Sequence, residues 1–484
     1  MSKTKSIIVI GGGVAGLSSA GFLAKEGFDV SVLEANNKIG GSCATTNLNG
    51  YTFNDGAIYV VLPKILDHVF HRLGVDRETL IPMRRIMSNL TTTLPDGSVV
   101  EIGSGLDITI ERNGVLQTVS TVNQELEDML RKWEPVLQIF SDDLAIHPYS
   151  ALRLIHKAWR HLGKFRTNVA TELTGLFSDP RLRSALSGAL LFTGLPPQKL
   201  PVSLFLGLVA MMTEGYYLPE GGMGVIPEAL AQLVTRYGGE IILNAKATRI
   251  VLRNGHVIGV EVDNLGFIEA DAIISTSSGM QTFSSLIQSK DIPWKLRRKV
   301  QMANLSSRTF SVQLGITNKV DISSHFISNL PMMQNQFRYF KPTLTDTPWL
   351  SYTVPTSTMP ELAPPKGSVI EVFPPIRQNI PLEDWDEQEK MIVAERTKKA
   401  LPREYTENIE VERLRSPRDF RDQMHLYKGA VYGLSPAVAP TSYFPYKTSV
   451  PGLYLAGQTT FPGFGVGSSS ISGILAAEAL IQNS

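Results

Sequence analysis

The sequence predicts an α/β fold that contains more than one structural unit. Its 484 residues exceed what a single compact core usually accommodates. Hydrophobic residues make up 43% of the chain and glycines number 40, a composition typical of globular α/β proteins and unlike that of disordered chains. The first 35 residues also change from a strand-like to a helix-like pattern and back around a run of glycines.

This N-terminal pattern indicates a βαβ unit of the Rossmann type. β-Branched residues at 6–10 precede the turn GGGVAG, a small-residue helix and a second strand, DVSVLEA. Gly11 permits the tight turn, Gly13 lets the backbone approach a pyrophosphate, and Gly16 allows helix and strand to pack closely. Glu34 can accept hydrogen bonds from ribose hydroxyls and would repel a 2′-phosphate. The predicted dinucleotide contacts at this helix N-terminus are Gly11, Gly13, Val14, Ala15, Gly16, Glu34 and Ala35.

Charge and cysteine content exclude several classes of protein. The 46 Lys and Arg residues nearly balance 45 Asp and Glu, so no overall field favours nucleic acid, and we expect no such partner. Cys43 is the only cysteine, which excludes an internal disulfide and a zinc site with two Cys ligands. No cluster of His, Cys and carboxylates suggests a metal. A reducing, cytoplasmic setting fits this composition.

The start of the chain superficially resembles a signal peptide, because two lysines precede an apolar stretch. Three consecutive glycines break that stretch after a strand-like run, so we interpret it as part of the folded protein. About 18 consecutive apolar residues occur nowhere, and we therefore expect no transmembrane helix.

A second glycine pair extends the fingerprint. The letters GGS follow Glu34 by six residues, and a strand is predicted beyond them from Gly50 to Ala57. With this extension the chain resembles the large family of flavoproteins that includes amine oxidases and phytoene desaturases. The resemblance implies FAD as the cofactor. The further contacts that it implies are Gly40, Gly41, Ser42, Gly56 and Ala57.

The far end of the chain carries a matching element. Between residues 452 and 480, a strand with the letters LYLAG leads through a glycine-rich loop into a small-residue helix. Four glycines in eleven residues let the backbone pass close to a flat ring, although an ordinary strand-to-helix loop is the alternative. In the family this segment contacts the ribityl chain and the isoalloxazine, which implies Gly457, Gln458, Gly465 and Val466. Many members have an acid where this chain has Gln458, and glutamine can also hydrogen-bond hydroxyls.

A third segment, 238–278, predicts short strands with a hairpin at Asn254-Gly255. The resemblance places the backbone near Ala247 beside the adenine. Together these segments imply a discontinuous, Rossmann-like FAD-binding domain of residues 1–80, 216–285 and 426–484. The remaining residues, 81–215 and 286–425, are expected to form an α+β domain that binds substrate and faces the membrane.

Several internal blocks resemble phytoene desaturases, carotenoid isomerases and retinol saturases. One such block is YYLPEGGMGVIPEAL, residues 216–230. The resemblance implies a hydrophobic polyene, such as a carotenoid, that loses hydride to oxidised FAD, with oxygen or a quinone as the final acceptor. A cis–trans isomerase or a saturase that uses reduced FAD is the second hypothesis. A flavoprotein that binds FAD without catalysis is the third, and the sequence leaves the oligomeric state open.

Two segments bear on how such a substrate would arrive. Residues 186–212 are strongly apolar but contain three prolines, so they cannot form one spanning helix. A pair of buried core helices is the favoured interpretation, and the wall of a hydrophobic tunnel is the alternative. Residues 153–166 mix Lys, Arg and His with apolar side chains. Anionic lipid surfaces attract such segments, which suggests peripheral membrane association, although a solvated amphipathic face is the commoner explanation.

Few residues are candidates for chemistry. Asp55 is a candidate base or flavin-orienting acid, since the family places the end of this strand beside the ring; the alternative is that Asp55 stabilises the turn at Gly56. Tyr59, Tyr216 and Phe464 are expected to line the substrate cavity, although aromatic residues more often serve packing alone. Cys43 is better explained as a small packed residue than as a nucleophile or flavin anchor.

Overall fold

The computed structural model describes residues 5–103, 105–117, 121–322, 324–341 and 349–483. The strands are β1 (Ser6–Ile10), β2 (Asp29–Leu33), β3 (Thr45–Leu48), β4 (Tyr51–Asn54), β5 (Met83–Ile86), β6 (Ser88–Thr93), β7 (Ser98–Gly103), β8 (Ile108–Arg112), β9 (Val115–Leu116), β10 (Tyr216–Pro219), β11 (Glu240–Ile242), β12 (Ala247–Arg253), β13 (His256–Val262), β14 (Gly266–Glu269), β15 (Ala272–Ser275), β16 (Ser311–Ile316), β17 (Ser324–Asn329), β18 (Leu350–Thr353), β19 (Ser368–Val372), β20 (Ile409–Arg415) and β21 (Leu453–Leu455). The α-helices are α1 (Val14–Lys25), α2 (Pro63–Arg72), α3 (Arg77–Leu80), α4 (Val122–Ile139), α5 (Ala151–Ala158), α6 (Val169–Leu176), α7 (Pro180–Gly188), α8 (Phe205–Thr213), α9 (Val225–Arg236), α10 (Gly279–Gln281), α11 (Trp294–Gln301), α12 (Glu387–Ala400), α13 (Pro417–Met424) and α14 (Val466–Ile481).

A five-stranded parallel sheet joins three distant parts of the chain. Its order is β11-β2-β1-β15-β21, and every neighbouring pair is parallel. The central strand β1 is buried on both faces, which explains its uninterrupted run of Ile and Val. Helices α1, α14 and α9 pack together on one face. The other face carries the antiparallel meander β12-β13-β14. The Rossmann-like unit predicted from the first 35 residues is confirmed.

A nine-stranded sheet forms the second architectural centre. Its order is β20-β16-β19-β18-β17-β6-β7-β8-β9, and it combines residues 88–116 with residues 311–415. Neighbouring strands are antiparallel except for β17 and β6. Helices α4, α6, α7 and α8, which lie between these two stretches in the chain, contribute buried apolar side chains to the adjoining core. The result is an α+β unit beside the parallel sheet.

Buried hydrogen bonds join the end of β4, in the two-stranded hairpin β3-β4, to the nine-stranded sheet. The Asn54 amide donates to the Glu371 carboxylate on β19 over 2.7 Å. The side-chain amide of Gln313, on β16, donates to the Asn54 carbonyl over 2.6 Å. Both Glu371 and Gln313 are almost fully buried. Because buried polar groups without partners cost free energy, this network fixes the position of the β3-β4 hairpin against the nine-stranded sheet.

Several local predictions can be compared with the structure. The hairpin at Asn254-Gly255 is confirmed, and both residues have positive φ, as a type I′ turn requires. The strand predicted over 50–57 is wrong at its end: β4 stops at Asn54, and the chain bends at Asp55 and Gly56. The apolar stretch 186–212 is not a simple helix pair. It contains the end of α7, two short 3₁₀ turns and most of α8.

Candidate active site

The loop between β1 and α1 has the geometry that its glycines predict. Gly11 has φ of +102°, a conformation that other residues rarely adopt. A Cβ atom at Gly16 would lie 1.9 Å from the Gly11 carbonyl oxygen, so only glycine lets helix and turn approach this closely. Gly13 differs from both. It precedes α1 with an ordinary extended backbone, and a Cβ there would meet no protein atom within 4 Å. Open space therefore lies in front of the helix N-terminus.

Glu34 closes one side of this loop. Its buried carboxylate accepts the Gly12 amide over 2.7 Å and the Asn36 amide over 2.9 Å. Each carboxylate oxygen has a second lone pair, so the group keeps acceptor capacity toward the cavity that it lines. Glu34 thus holds the glycine loop in place and presents an acceptor where a ribose would bind.

One large cavity begins at this loop and runs between the two sheets. Its volume is about 1140 Å³, above the usual range for a site that holds a single small ligand. All predicted dinucleotide contacts line it except Gly16, which serves helix packing instead. Tyr59, Tyr216 and Phe464 line it as well. The arrangement therefore brings together residues predicted from five separate stretches of sequence.

Backbone hydrogen bonds hold the GGS segment that begins at Gly40, and the C-terminal glycine loop leads into α14. Gly40 donates to the Gly12 carbonyl over 2.8 Å, which places the GGS segment beside the first loop. The Ala57 amide donates to the Ser42 carbonyl over 2.7 Å. At the other end, Gly465 precedes α14, so the unpaired amides of that helix begin at the cavity wall. Two helix N-termini, those of α1 and α14, therefore face the same space.

The rest of the cavity is walled mainly by apolar side chains of the α+β unit. The apolar and aromatic residues of this part include Leu90, Val136, Ile139, Phe140, Leu154, Phe165, Leu190, Phe192, Leu206, Met211, Phe326, Tyr339 and Phe373. The stretch 186–212 supplies many of them. Both interpretations of this stretch apply, because most of its apolar residues are buried in the core and several of them, such as Leu206 and Met211, also line the cavity.

Asp55 lies outside this cavity, in a network of ion pairs. Its carboxylate contacts the Lys38 ammonium at 2.8 Å and the Arg413 guanidinium at 2.6 Å, and it accepts the Thr46 hydroxyl at 2.9 Å. The Asp55 backbone carbonyl accepts from Arg415 at 2.6 Å. All of these partners bind the charged carboxylate or fix its backbone, so its acceptor positions are occupied by the chain itself.

This placement contradicts the prediction that Asp55 is a base beside the reacting ring. Burial alone would raise the pKa of the Asp55 carboxyl, but Arg413 and Lys38 outweigh burial and hold the pKa below its ordinary value. A carboxylate with a lowered pKa is a poor proton acceptor. Asp55 instead ties the turn after β4 to strand β20, which is closer to the turn-stabilising alternative.

Cys43 lines the cavity as a buried, neutral thiol. Burial raises its pKa to about 12. The thiol contacts the Met223 carbonyl oxygen at 3.4 Å. A thiol with so high a pKa carries almost no thiolate at neutral pH, which agrees with a packing role.

Sequence reasoning missed residues whose role depends on distant contacts. Glu371 is the only charged residue of the mainly apolar strand β19, and a lone acid in such a strand is the sequence feature that could have indicated a buried polar contact. Burial raises its pKa to about 7 despite the hydrogen bonds that it accepts. Arg413 directly follows Glu412 in the charge-rich strand β20, and such a strand also suits an exposed edge. Tyr432 and His325 lie beside the cavity aromatics without any local motif.

The fold and the cavity define a class of protein. A Rossmann-like sheet with two helix N-termini and an acidic ribose acceptor, joined to a large apolar cavity, is the arrangement of a dinucleotide-dependent oxidoreductase that acts on an apolar molecule. The chain belongs to the flavin containing amine oxidoreductase family, whose model matches residues 14–481. It is accordingly a flavin-dependent oxidoreductase.

Three curated relatives match almost the whole chain at 25% identity. The 4,4'-diapophytoene desaturase (4,4'-diapolycopene-forming) of Methylomonas sp aligns with 100% of this chain and 96% of its own. The zeta-carotene-forming phytoene desaturase of Myxococcus xanthus aligns with 99% and 94%. The 4,4'-diaponeurosporene oxygenase of Staphylococcus aureus aligns with 99% and 98%.

A solved structure of an oxidoreductase from Methanosarcina mazei shares the fold. Its TM-score is 0.65 at 18% sequence identity, and the match covers 98% of this chain and 100% of the other. Among the described residues, no helix combines the length and the apolarity that crossing a bilayer requires.

Proposed function

We propose that the flavin is FAD and that the enzyme removes two hydrogens from a hydrophobic polyene such as a carotenoid. The observation that carries the proposal is the continuity of one cavity from the glycine loops to the apolar wall. The names of the curated relatives support a carotenoid substrate. The same cavity would hold cofactor and substrate against each other.

The extent of the cofactor half supports FAD over a shorter flavin. The cavity continues past Glu34 to Ala247, beyond the loop that would hold the pyrophosphate. A mononucleotide would leave the Glu34 acceptor and the Ala247 region without a ligand. Releasing the bound flavin by heat and measuring its mass tests this point, because FMN in place of FAD would contradict it.

FAD accepts a hydride from a C–H bond when it is bound and oxidised. The protein must then hold the substrate, exclude water and leave a route for the departing proton. The apolar wall serves the first two needs. Glu34 is the only acid among the described residues that line the cavity, and it lies at the dinucleotide end. The geometry therefore supports hydride loss that does not depend on a carboxylate base beside the substrate.

Incubation with a carotenoid precursor, followed by mass analysis of the product, tests the reaction. Desaturation removes two hydrogens and should occur with oxidised flavin in the presence of oxygen or a quinone. Unchanged mass with a shifted retention time would indicate an isomerase, and a gain of two hydrogens after photoreduction would indicate a saturase. Added oxygen would indicate the activity named for the Staphylococcus aureus relative. A purified protein that retains flavin but converts no polyene would refute the proposal.

We also propose that residues 151–166 bind the surface of an anionic membrane. Helix α5 and the 3₁₀ segment Trp159–Arg166 form one stretch with two apolar sides. Its inner side contributes Leu154 and Leu162 to the cavity wall. Its outer side exposes Leu152, Ile155 and Trp159, which are 81%, 52% and 61% exposed.

Charge complementarity selects the membrane as the occupant of this outer side. The exposed residues lie among Arg153, His156, Lys157 and Arg160, and Asp143 neutralises only part of that charge through ion pairs with Arg153 and Lys157. Apolar side chains beside cations bind the interface of anionic bilayers. A substrate could then pass from lipid into the cavity without crossing water, which is favourable by about 0.8 kcal/mol per buried CH₂.

Sedimentation with vesicles tests this surface. We expect the protein to bind vesicles of phosphatidylcholine that contain about 30% phosphatidylglycerol. Binding should fall about tenfold in the triple variant Leu152→Ser, Ile155→Ser, Trp159→Ser. Phe267→Ser is the matched control, because Phe267 is 50% exposed on the distant meander. Equal binding by the triple variant and the wild type would overturn the proposal, as would the absence of wild-type binding to these vesicles.

A further inference from the structure

Three tyrosines line the cavity where its cofactor part joins its apolar part. Tyr59 follows the Gly56-Ala57 turn by two residues, and its ring lies 4.3 Å from that of Tyr216. The Tyr432 ring lies 4.4 Å from that of Phe464, which directly precedes the Gly465 N-terminus of α14. All three tyrosines line the cavity. They therefore lie between the cofactor loops and the apolar wall.

The phenol groups of these tyrosines have no hydrogen-bond partner among the described residues. Because these residues line the cavity, a ligand that enters it can supply the missing hydrogen-bond partner. Burial raises the pKa of the Tyr59 phenol well above its ordinary value, and the nearby phenols of Tyr216 and Tyr432 raise it further. The three hydroxyls are thus neutral donors, and Tyr59 lies within electrostatic range of the other two.

The surroundings of these three tyrosines disfavour a cationic ligand. His325 and Phe326 pack behind Tyr59 and Tyr216, with ring centroids 5.1 to 5.7 Å apart. The imidazole of His325 is buried and neutral, since burial lowers its pKa to about 3. The one acid on the described cavity wall is Glu34, at the other end. A bound amine cation would find no counter-charge at the trio, whereas a neutral oxygen would find up to three donors.

We propose that Tyr59, Tyr216 and Tyr432 form a polar subsite that binds an oxygen atom, as a hydroxyl or a carbonyl, on an otherwise apolar substrate. The inference rests on the proposed function and narrows its substrate class to oxygen-bearing isoprenoids. A pure hydrocarbon at the same place would strip water from three hydroxyls and return no hydrogen bond. The oxygenated ligand satisfies them, and the apolar wall binds the remainder of the chain.

Equilibrium partitioning of a tritiated ligand pair tests the subsite without relying on the flavin spectrum. The pair is geranylgeraniol and the hydrocarbon that lacks only its hydroxyl, both in the same detergent. We expect the wild-type protein to bind the alcohol roughly a hundredfold more tightly, the product of three such hydrogen bonds. Each Tyr→Phe change should reduce that preference about fivefold, the value of one net hydrogen bond.

The triple variant Tyr59→Phe, Tyr216→Phe, Tyr432→Phe should bind both ligands within twofold, because it binds the hydrocarbon more tightly and the alcohol less tightly than the wild type. Tyr339→Phe is the control. That tyrosine also lines the cavity, but its hydroxyl already donates to the Phe373 carbonyl over 3.2 Å, so the ratio of the two affinities should stay at the wild-type value.

Equal wild-type affinities for the two ligands, or an equal loss of both in the triple variant, would overturn the subsite. The single variants keep the test valid if the triple variant fails to fold. Flavin content and conversion of a polyene are measured on the same preparations. If the proposed function fails, those two readouts fail; if only the subsite is wrong, they remain intact while the preference for alcohol is absent.

Discussion

Replacing Gly13 by valine tests the assignment of the first glycine loop to the dinucleotide. The structure separates the effect on the cofactor from the effect on the fold. A Cβ at Gly13 meets no protein atom within 4 Å, and the φ of −79° and ψ of 176° suit a β-branched residue. The variant loses only a glycine N-cap, which costs about 1 kcal/mol or less.

The cost to cofactor binding is much larger. The valine side chain would occupy the space where a pyrophosphate approaches the amides at the start of α1. Losing two hydrogen bonds to a charged group, at about 1.5–3 kcal/mol each, lowers the affinity by roughly 10²–10⁴-fold. Wild-type protein at 100 times its flavin Kd should also gain about 2.7 kcal/mol of stability, a gain that the variant lacks.

The assay combines three measurements: the flavin-to-protein absorbance ratio, titration of stripped protein with FAD, and denaturant unfolding with and without FAD. Gly16→Ala provides the contrast. Its Cβ would lie 1.9 Å from the Gly11 carbonyl oxygen, so this variant should be destabilised even without cofactor. A Gly13→Val protein that retains flavin with wild-type affinity would refute the phosphate-site assignment. If flavin-free Gly13→Val protein is as unstable as Gly16→Ala, the space in front of the α1 N-terminus is not open as the structure indicates.

Three further predictions concern titratable groups. As the pH rises from 4.5 to 7, the free energy of unfolding of the wild type should fall by about 3 kcal/mol, because the folded protein holds the Glu371 proton more tightly than the unfolded chain does. Glu371→Gln should abolish this fall. A variant whose unfolding keeps the wild-type pH dependence would contradict the prediction. Asp55→Asn should destabilise the fold by about 3 kcal/mol, because it leaves the charge of Arg413 without its partner. The rate of flavin reduction per folded molecule, measured by stopped flow, should stay at the wild-type value. Slow reduction at wild-type stability would instead support Asp55 as a catalytic base. Cys43→Ala should keep activity within about twofold, and alkylation of the native protein should be slow; rapid labelling would disprove the buried neutral thiol.

The sequence was most informative where chemistry depends on local spacing. The turn, phosphate and packing roles of Gly11, Gly13 and Gly16 follow from steric limits within a few residues, and the structure has the same loop. The Asn254-Gly255 hairpin is correct for the same reason. Local spacing also led to Asp55, but there it was insufficient. Its partner Arg413 lies 358 residues away, and no spacing rule connects them.

The sequence by itself determined the Rossmann-like unit, the cofactor loops and the apolar character of the substrate region, because each depends on short-range backbone and side-chain patterns. Only the tertiary structure decided which apolar stretch faces a cavity and which packs in a core, since 186–212 has the composition of both. It also decided that Asp55 is an ion-pair partner and that Tyr59, Tyr216 and Tyr432 line one cavity. Both depend on contacts between residues that are remote in the chain, and burial then sets the charge of each group.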